Sequence, residues 1–367
     1  MVAPSIQTDA ERFRAQLLLR DRRLLTEMIA RYQPVMVSVE AQIVDLSNLI
    51  ARRAATGVAQ TPGSVVRIGQ FRAMLAQLRT QLAGYADSVE GLITATQRTN
   101  VDRALTEAKT LVSGQLPGGL LVADLERLGV QWATVDARAM QQFVGTMRDG
   151  SSLHTYLSRQ VVPGTLARVT DTLTSGLLSN PRVTARRLRA DVLGGQAQAL
   201  RIARTETLRA YREASRTQWA ANPRMVRGYR RREALDDRTC VGCWYMDGTL
   251  YSTDTAMDEH VQGRGYLVPE LVNPRELGLP LDPEPLPTPG RERFRALPNA
   301  RQRAIIGNDR MFSAWKGGRI SEAGLVGRAM DPTWGASTHA NSARKALAGD
   351  HLPQLPDLDE FYDPLGG

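Results

Sequence analysis

The two cysteines of the chain, Cys240 and Cys243, form a Cys-x-x-Cys. On a turn, that spacing holds two thiolates close enough to share one tetrahedral ion and supplies half of a zinc site. His260, carried back by a β-hairpin, offers a third ligand. No fourth is evident: Asp247 and Asp258 are weak candidates, and water would leave the site open. Structural zinc is closed by four ligands, so no cofactor is expected. Zinc on Cys240, Cys243 and His260 stays as the alternative to two free, partly buried cysteines in a small β fold.

The cysteines sit in an informative block from Ile202 to Arg264. It opens as Ile202-Ala203-Arg204-Thr205-Glu206-Thr207 on a helix. It passes Trp219, reaches Asp236-Asp237-Arg238-Thr239-Cys240, turns at Asp247-Gly248, and ends in His260-Val261-Gln262-Gly263-Arg264. Arg204 and Glu206 lie among apolar neighbours. Charges near a core are usually paired, because an unpaired one is costly to bury. Glu206 as a general base is one reading. The favoured one pairs Arg204 with Glu206 and pins their helix to the β element through Asp237 and Arg238. A structural centre of Arg204, Glu206, Asp237, Arg238, Cys240, Cys243, Asp247, Gly248, His260 and Arg264 is therefore expected, with no catalytic residue.

Several chemistries fail on residue type. A zinc nucleobase deaminase needs His-x-Glu and Pro-Cys-x-x-Cys; Thr239 precedes Cys240, and no His-x-Glu occurs. A nuclease of the His-Asn-His type is faintly suggested by Asp258-Glu259-His260 after the Cys-x-x-Cys, but His339 is far along the chain. No P-loop, dinucleotide fingerprint or Gly-x-Ser-x-Gly elbow is present.

The order Ile-Ala-Arg-Thr-Glu-Thr, Trp219, Asp-x-Arg-Thr-Cys-x-x-Cys, Asp-Gly and His-x-x-x-Arg resembles the phage head morphogenesis family. This is the minor head protein family that includes the protein F-like proteins of Mu-type phages. Leu297-Pro298, Gln302, Ile306-Gly307 and Ala314-Trp315-Lys316-Gly317-Gly318-Arg319-Ile320 resemble the end of that domain, so the likeness covers about residues 165–330. The family pattern closes on Cys-Arg-Cys, where this chain has Gly263-Arg264-Gly265. The resemblance implies a non-enzymatic structural protein of the virion, at the portal or capsid interior and in the host cytoplasm during assembly. It implies a role in genome packaging or delivery. Its partners would be the portal protein, the major capsid or scaffold protein, and double-stranded DNA without sequence preference. Oligomerisation in the virion would fit. A DNA-binding helical adaptor outside the virion is the alternative, and the metal-dependent nuclease a lesser one.

The elements that must carry this block read as mainly α, in an α+β arrangement. Phe13, Leu17, Leu24, Met28, Tyr32, Val35, Val39, Ile43, Leu46 and Ile50 recur at three, four or seven, which predicts one long helix kinked or divided at Pro34. After a connector ending Thr61-Pro62-Gly63-Ser64, a second stripe runs Phe71, Leu75, Leu78, Leu82, Tyr85, Val89 and Leu92. Two such stripes with a short joint predict an antiparallel hairpin over 1–112. A helical domain follows over 113–223, with helices near 120–128, 131–148 and 163–179, one from Val183 broken at Gly194-Gly195, and one from Gln196 to Ala221. A small β element with a hairpin at Asp247-Gly248 spans 224–278, starting with a strand from Val226 to Leu235. A Pro-rich linker (279–290), a C-terminal helical segment (291–348) and an acidic tail (349–367) complete the organisation.

Bulk properties agree. The 367 residues suffice for two or three packed units, since single cores rarely exceed roughly 250 residues. The net charge is +9, and the cations are arginine except Lys109, Lys316 and Lys345. Such an excess favours polyanions and acidic protein surfaces. Met1-Val2-Ala3-Pro4 is not a basic region ahead of an apolar run, and no stretch of about 20 apolar residues occurs. Neither an export signal nor a membrane span is expected.

Overall fold

The computed structural model describes residues 6–57, 61, 68–136, 138–176, 181–279 and 287–349. It is mainly helical with small antiparallel sheets. The long helices are α1 (Ile6–Ala55), α2 (Gly69–Ser113), α4 (Leu153–Gly176) and α5 (Pro181–Ala220), with a short α3 (Val122–Arg127) between. The chain divides into two compact units, each gathered from separate stretches of sequence rather than from consecutive segments.

The helical unit comprises residues 20–96 and 145–207. Its α1 and α2 stretches run antiparallel, as the stripes predict: Arg31 reaches Ser88, Tyr32 meets Tyr85 edge-on at 4.7 Å, and Gln77 reaches Ser38. Every stripe residue of α1 in this unit is buried. Pro34 does not divide the helix, which continues through it. Pro34 and Ala30, whose carbonyl loses its partner, both face solvent, so water can satisfy that carbonyl while Tyr32, Val35 and Met36 stay packed. Gly194-Gly195 likewise does not break α5. A Cβ at Gly195 would lie 2.3 Å from Thr165 Oγ1 and 3.2 Å from the Tyr32 hydroxyl. The glycine is there for close helix approach, and the Tyr32 hydroxyl donates to the Val192 carbonyl at 2.6 Å. By length and composition α1 is long and apolar enough to cross a membrane, contrary to expectation, although its apolar stripe is buried in helix packing.

The second unit comprises residues 1–19, 97–144 and 208–367. Here β1 (Val226–Arg232) is the centre of a sheet, flanked by β2 (Leu250–Tyr251) and β3 (Tyr266–Leu271), both antiparallel to it. A second sheet pairs β4 (Val326–Asp331) with β5 (Gly335–Ala340). Short helices α6 (Val241–Met246), α7 (Gly290–Arg295), α8 (Asn299–Ile306), α9 (Asp309–Lys316) and α10 (Ala343–Leu347) pack around them. One core joins Phe13, Val112, Leu125, Trp219, Tyr229 and Val268. Another joins Val241, Trp244, Phe294, Phe312, Ile320 and Ala346.

Three expectations are corrected here. Residues 131–148 are not an α-helix; among the described residues their helical part is the 3-10 stretch Ala139–Phe143. Gln218 of α5 and Asn222, just past its end, hold the extended segment by its backbone, through Ala133 and Val135. The C-terminal segment is not all helix, because β4 and β5 form a hairpin closed at Gly335. The turn at Asp247-Gly248 joins a helix to a strand and is not a β-hairpin turn. Residues 280–286 of the Pro-rich stretch, the acidic tail from 350, and 58–60 and 62–64 of the first connector lie outside the described residues.

Candidate functional site

The site grows from the alternation of β1. Side chains two apart share a face of a strand, so Tyr229 and Arg231 both point inward, and Arg231 is fully buried. A buried guanidinium needs acceptors for its donors, and this one has them. Its Nε donates to Glu233 at 2.7 Å, Nη1 to Thr338 Oγ1 of β5 at 2.8 Å, and Nη2 to Glu259 Oε1 at 3.1 Å. Asp258 stands 3.4 Å from Nη1, and Cys243 Sγ 3.6 Å from Nη2. Burial works against this charge, but Glu259 and Glu233 hold the guanidinium protonated well above its usual range. Two carboxylates flank one cation. Burial and the charge of Glu259 push Glu233 up to about 8. Glu259 stays low despite its burial because Arg231 and His260 face it.

Cys240, Cys243 and His260 lie beside this network. Cys240 caps α6, and its sulfur accepts from the Cys243 amide at 3.4 Å. The motif therefore starts a helix instead of lying on a turn. Gly242 lets β5 approach, since a Cβ there would fall 2.6 Å from the His339 carbonyl carbon. His260 Nε2 stands 3.8 Å from Cys240 Sγ and 3.2 Å from Cys243 Sγ. Its Nδ1 is 2.9 Å from the Val261 carbonyl. Hydrogen bonding from Cys243, helped by His260, draws the Cys240 thiol down to about 4. Burial opposes the His260 imidazolium, yet Cys240 and Glu259 bring it up to about 9. The hydrogen bond with Cys240, reinforced by burial, pushes Cys243 up. Such a set can hold a thiolate–imidazolium pair or a thiophilic cation.

The three predicted ligands thus come together, but neither weak fourth candidate joins them. Asp247 accepts from the Glu233 amide at 2.7 Å and the Gly290 amide at 2.8 Å, locking strand to α7. Asp258 accepts from the Tyr251 hydroxyl at 2.6 Å. Gly248, at φ +90°, packs on Pro289. The carboxylate that does reach the cluster is Glu259, 3.7 Å from His260 Nε2 and 3.9 Å from Cys243 Sγ.

The wider structural centre is smaller than expected. Arg264 belongs to it through a two-pronged pair with Asp236, at 2.6 Å for each contact. Asp236 also accepts from Thr239 Oγ1 and the Arg238 amide, so it orders the turn into Cys240. Asp237 is exposed and pairs with Arg301 instead, and the Arg238 side chain is exposed. Arg204 and Glu206 belong to the helical unit. Arg204 pairs with buried Asp21 at 2.8 Å, not with Asp237, and Glu206 is fully buried. Sequence reading missed Arg231, Glu259 and Asp236. The chain matches no family model, no curated protein and no solved structure.

Proposed function

We propose that this protein is a structural minor head protein of a tailed phage. It would act at the portal in head assembly and genome packaging or delivery, and contact DNA without reading its sequence. The observation that carries the DNA contact is where the charge sits. The helical unit holds 18 arginines against 10 acidic residues, a net +8 of the chain's +9. The other unit, with 29 basic and 28 acidic residues, is nearly neutral. Phosphate contacts are electrostatic and need such an unbalanced surface more than base-reading groups. Arg22, Arg23, Arg186 and Arg187 are exposed on that unit. The virion role is supported by the resemblance over the Ile202–Arg264 block. Ile29, Val37 and Val44, exposed along α1, offer an apolar contact for a larger assembly such as the portal.

Quantitative mass spectrometry of purified particles tests the virion role. Recovery with portal and capsid proteins at a few to tens of copies is expected. Absence from particles, with the protein free in the host, overturns it in favour of the DNA-binding adaptor. One observation favours the nuclease reading: Gly242, between the two cysteines, packs against the His339 backbone, so sequence distance does not separate His339 from the cluster. That reading requires metal-dependent nicking of DNA that His260→Ala abolishes.

A further inference from the structure

We propose that Cys240, Cys243, His260 and Glu259 form a closed four-ligand site for a thiophilic divalent cation, zinc foremost. The distances fit first. With Zn–S near 2.3 Å and Zn–N near 2.0–2.1 Å, tetrahedral geometry separates sulfur and nitrogen by about 3.6 Å. The two distances from His260 Nε2 to sulfur, 3.8 and 3.2 Å, bracket that value. All three donor atoms lie within 4.8 Å of one another.

The imidazole is also oriented as a ligand. A carbonyl only accepts, so the Val261 carbonyl requires the proton on Nδ1. Neutral His260 therefore turns the Nε2 lone pair toward both sulfurs, the outer-shell arrangement common to metal-binding histidines. The sulfurs have polar support of their own: Cys240 from the Cys243 amide, and Cys243 from Arg231.

Glu259 supplies what the sequence lacks. Its Oε1, which accepts from Arg231 Nη2 at 3.1 Å and the His260 amide at 3.0 Å, also stands 3.7 Å from His260 Nε2 and 3.9 Å from Cys243 Sγ, while Oε2 accepts the Gly265 amide at 3.0 Å. The carboxylate occupies space that other residues would take. A Cβ at Gly263 would fall 2.0 Å from the Glu259 carboxyl carbon, and one at Gly265 would fall 2.4 Å from Oε2. Both glycines are thus conditions for Glu259 to stand where it does. Two thiolates and the Glu259 carboxylate would face the dication, with the Arg231 guanidinium beside Glu259.

The test uses the full chain, purified under reducing conditions and analysed for metal. One zinc per chain is expected. After chelation, cobalt(II) should restore thiolate-to-cobalt charge-transfer absorption and tetrahedral ligand-field bands. Zinc should slow alkylation of both cysteines by at least about ten-fold, a reading that needs no variant. Glu259→Gln should weaken zinc about ten- to hundred-fold, with a changed cobalt spectrum. A chain that holds no zinc, gives no thiolate–cobalt band and alkylates equally fast with zinc or chelator overturns the site. So does a Cys240–Cys243 disulfide closing quantitatively under mild oxidant with zinc present. An unchanged cobalt spectrum in a folded Glu259→Gln protein overturns the fourth ligand.

Discussion

Arg231 shows how much one residue can hold. Its side chain is fully buried and pairs with both Glu233 and Glu259. Removing one partner of a buried ionic cluster typically costs about 3–5 kcal/mol, because the others are left uncompensated. Arg231→Met is expected to lower the unfolding free energy obtained from urea titration by that much. Asp236 is a milder case. Its pair with Arg264 holds its carboxyl well below the usual range, but the Asp236 side chain is 43% exposed. Screening limits Asp236→Asn to a loss of about 1 kcal/mol near neutral pH. Because the folded-state pKa is depressed, this contribution is complete above the unfolded value of about 3.9 and is lost as pH falls through the folded value. Denaturation of wild type and Asp236→Asn should therefore converge in acid; a gap that persists there would assign the loss to packing. Cys240, Cys243 and His260 were legible because type and spacing alone suggest a shared ligand. Arg231 was not, since it stands in a run of three arginines and only the phase of the strand selects it. Glu259 was hidden because its role depends on two missing side chains, at Gly263 and Gly265.

Among the elements, the long helices were readable because burial follows sequence period. All ten predicted stripe residues of α1 are buried. The second stripe was slightly misphased: Leu75 and Leu92 are half-buried, while Met74 and Ile93 are in the core. The β4–β5 hairpin was unreadable, because Gly-Arg-Ala-Met and Gly-Ala-Ser-Thr carry few β-branched residues. Glycine misled most, since low helix propensity looks the same whether a helix ends or another helix passes close by. Two substitutions separate these cases. Gly195→Ala in α5 should destabilise by about 1–3 kcal/mol, as overpacking against Thr165 outweighs the propensity gain. Gly84→Ala in α2 meets nothing within 4 Å and should stabilise by up to about 1 kcal/mol. Thermal midpoints read both, and a stabilised Gly195→Ala protein would refute the close-approach role.

For the whole molecule, the uneven charge makes a quantitative expectation. Binding to duplex DNA should weaken with salt, with a log–log slope of about −0.9 per phosphate contacted. Arg186→Gln with Arg187→Gln should flatten that slope by up to about two, uniformly across sequences. Arg328→Gln with Arg344→Gln, in the nearly neutral unit, should leave it unchanged; the reverse pattern would move the contact off the helical unit. The division into units also bears on synthesis. The helical unit is complete in sequence at Thr207, whereas the core around Phe13 also needs Trp219, Val268 and Val326. On the ribosome, the core that takes in Ala10 and Phe13 stays incomplete until Trp219, Val268 and Val326 have been made. Contacts that distant are slow to close, so the N-terminal end of α1 should become resistant to protease later in synthesis than the helical unit does.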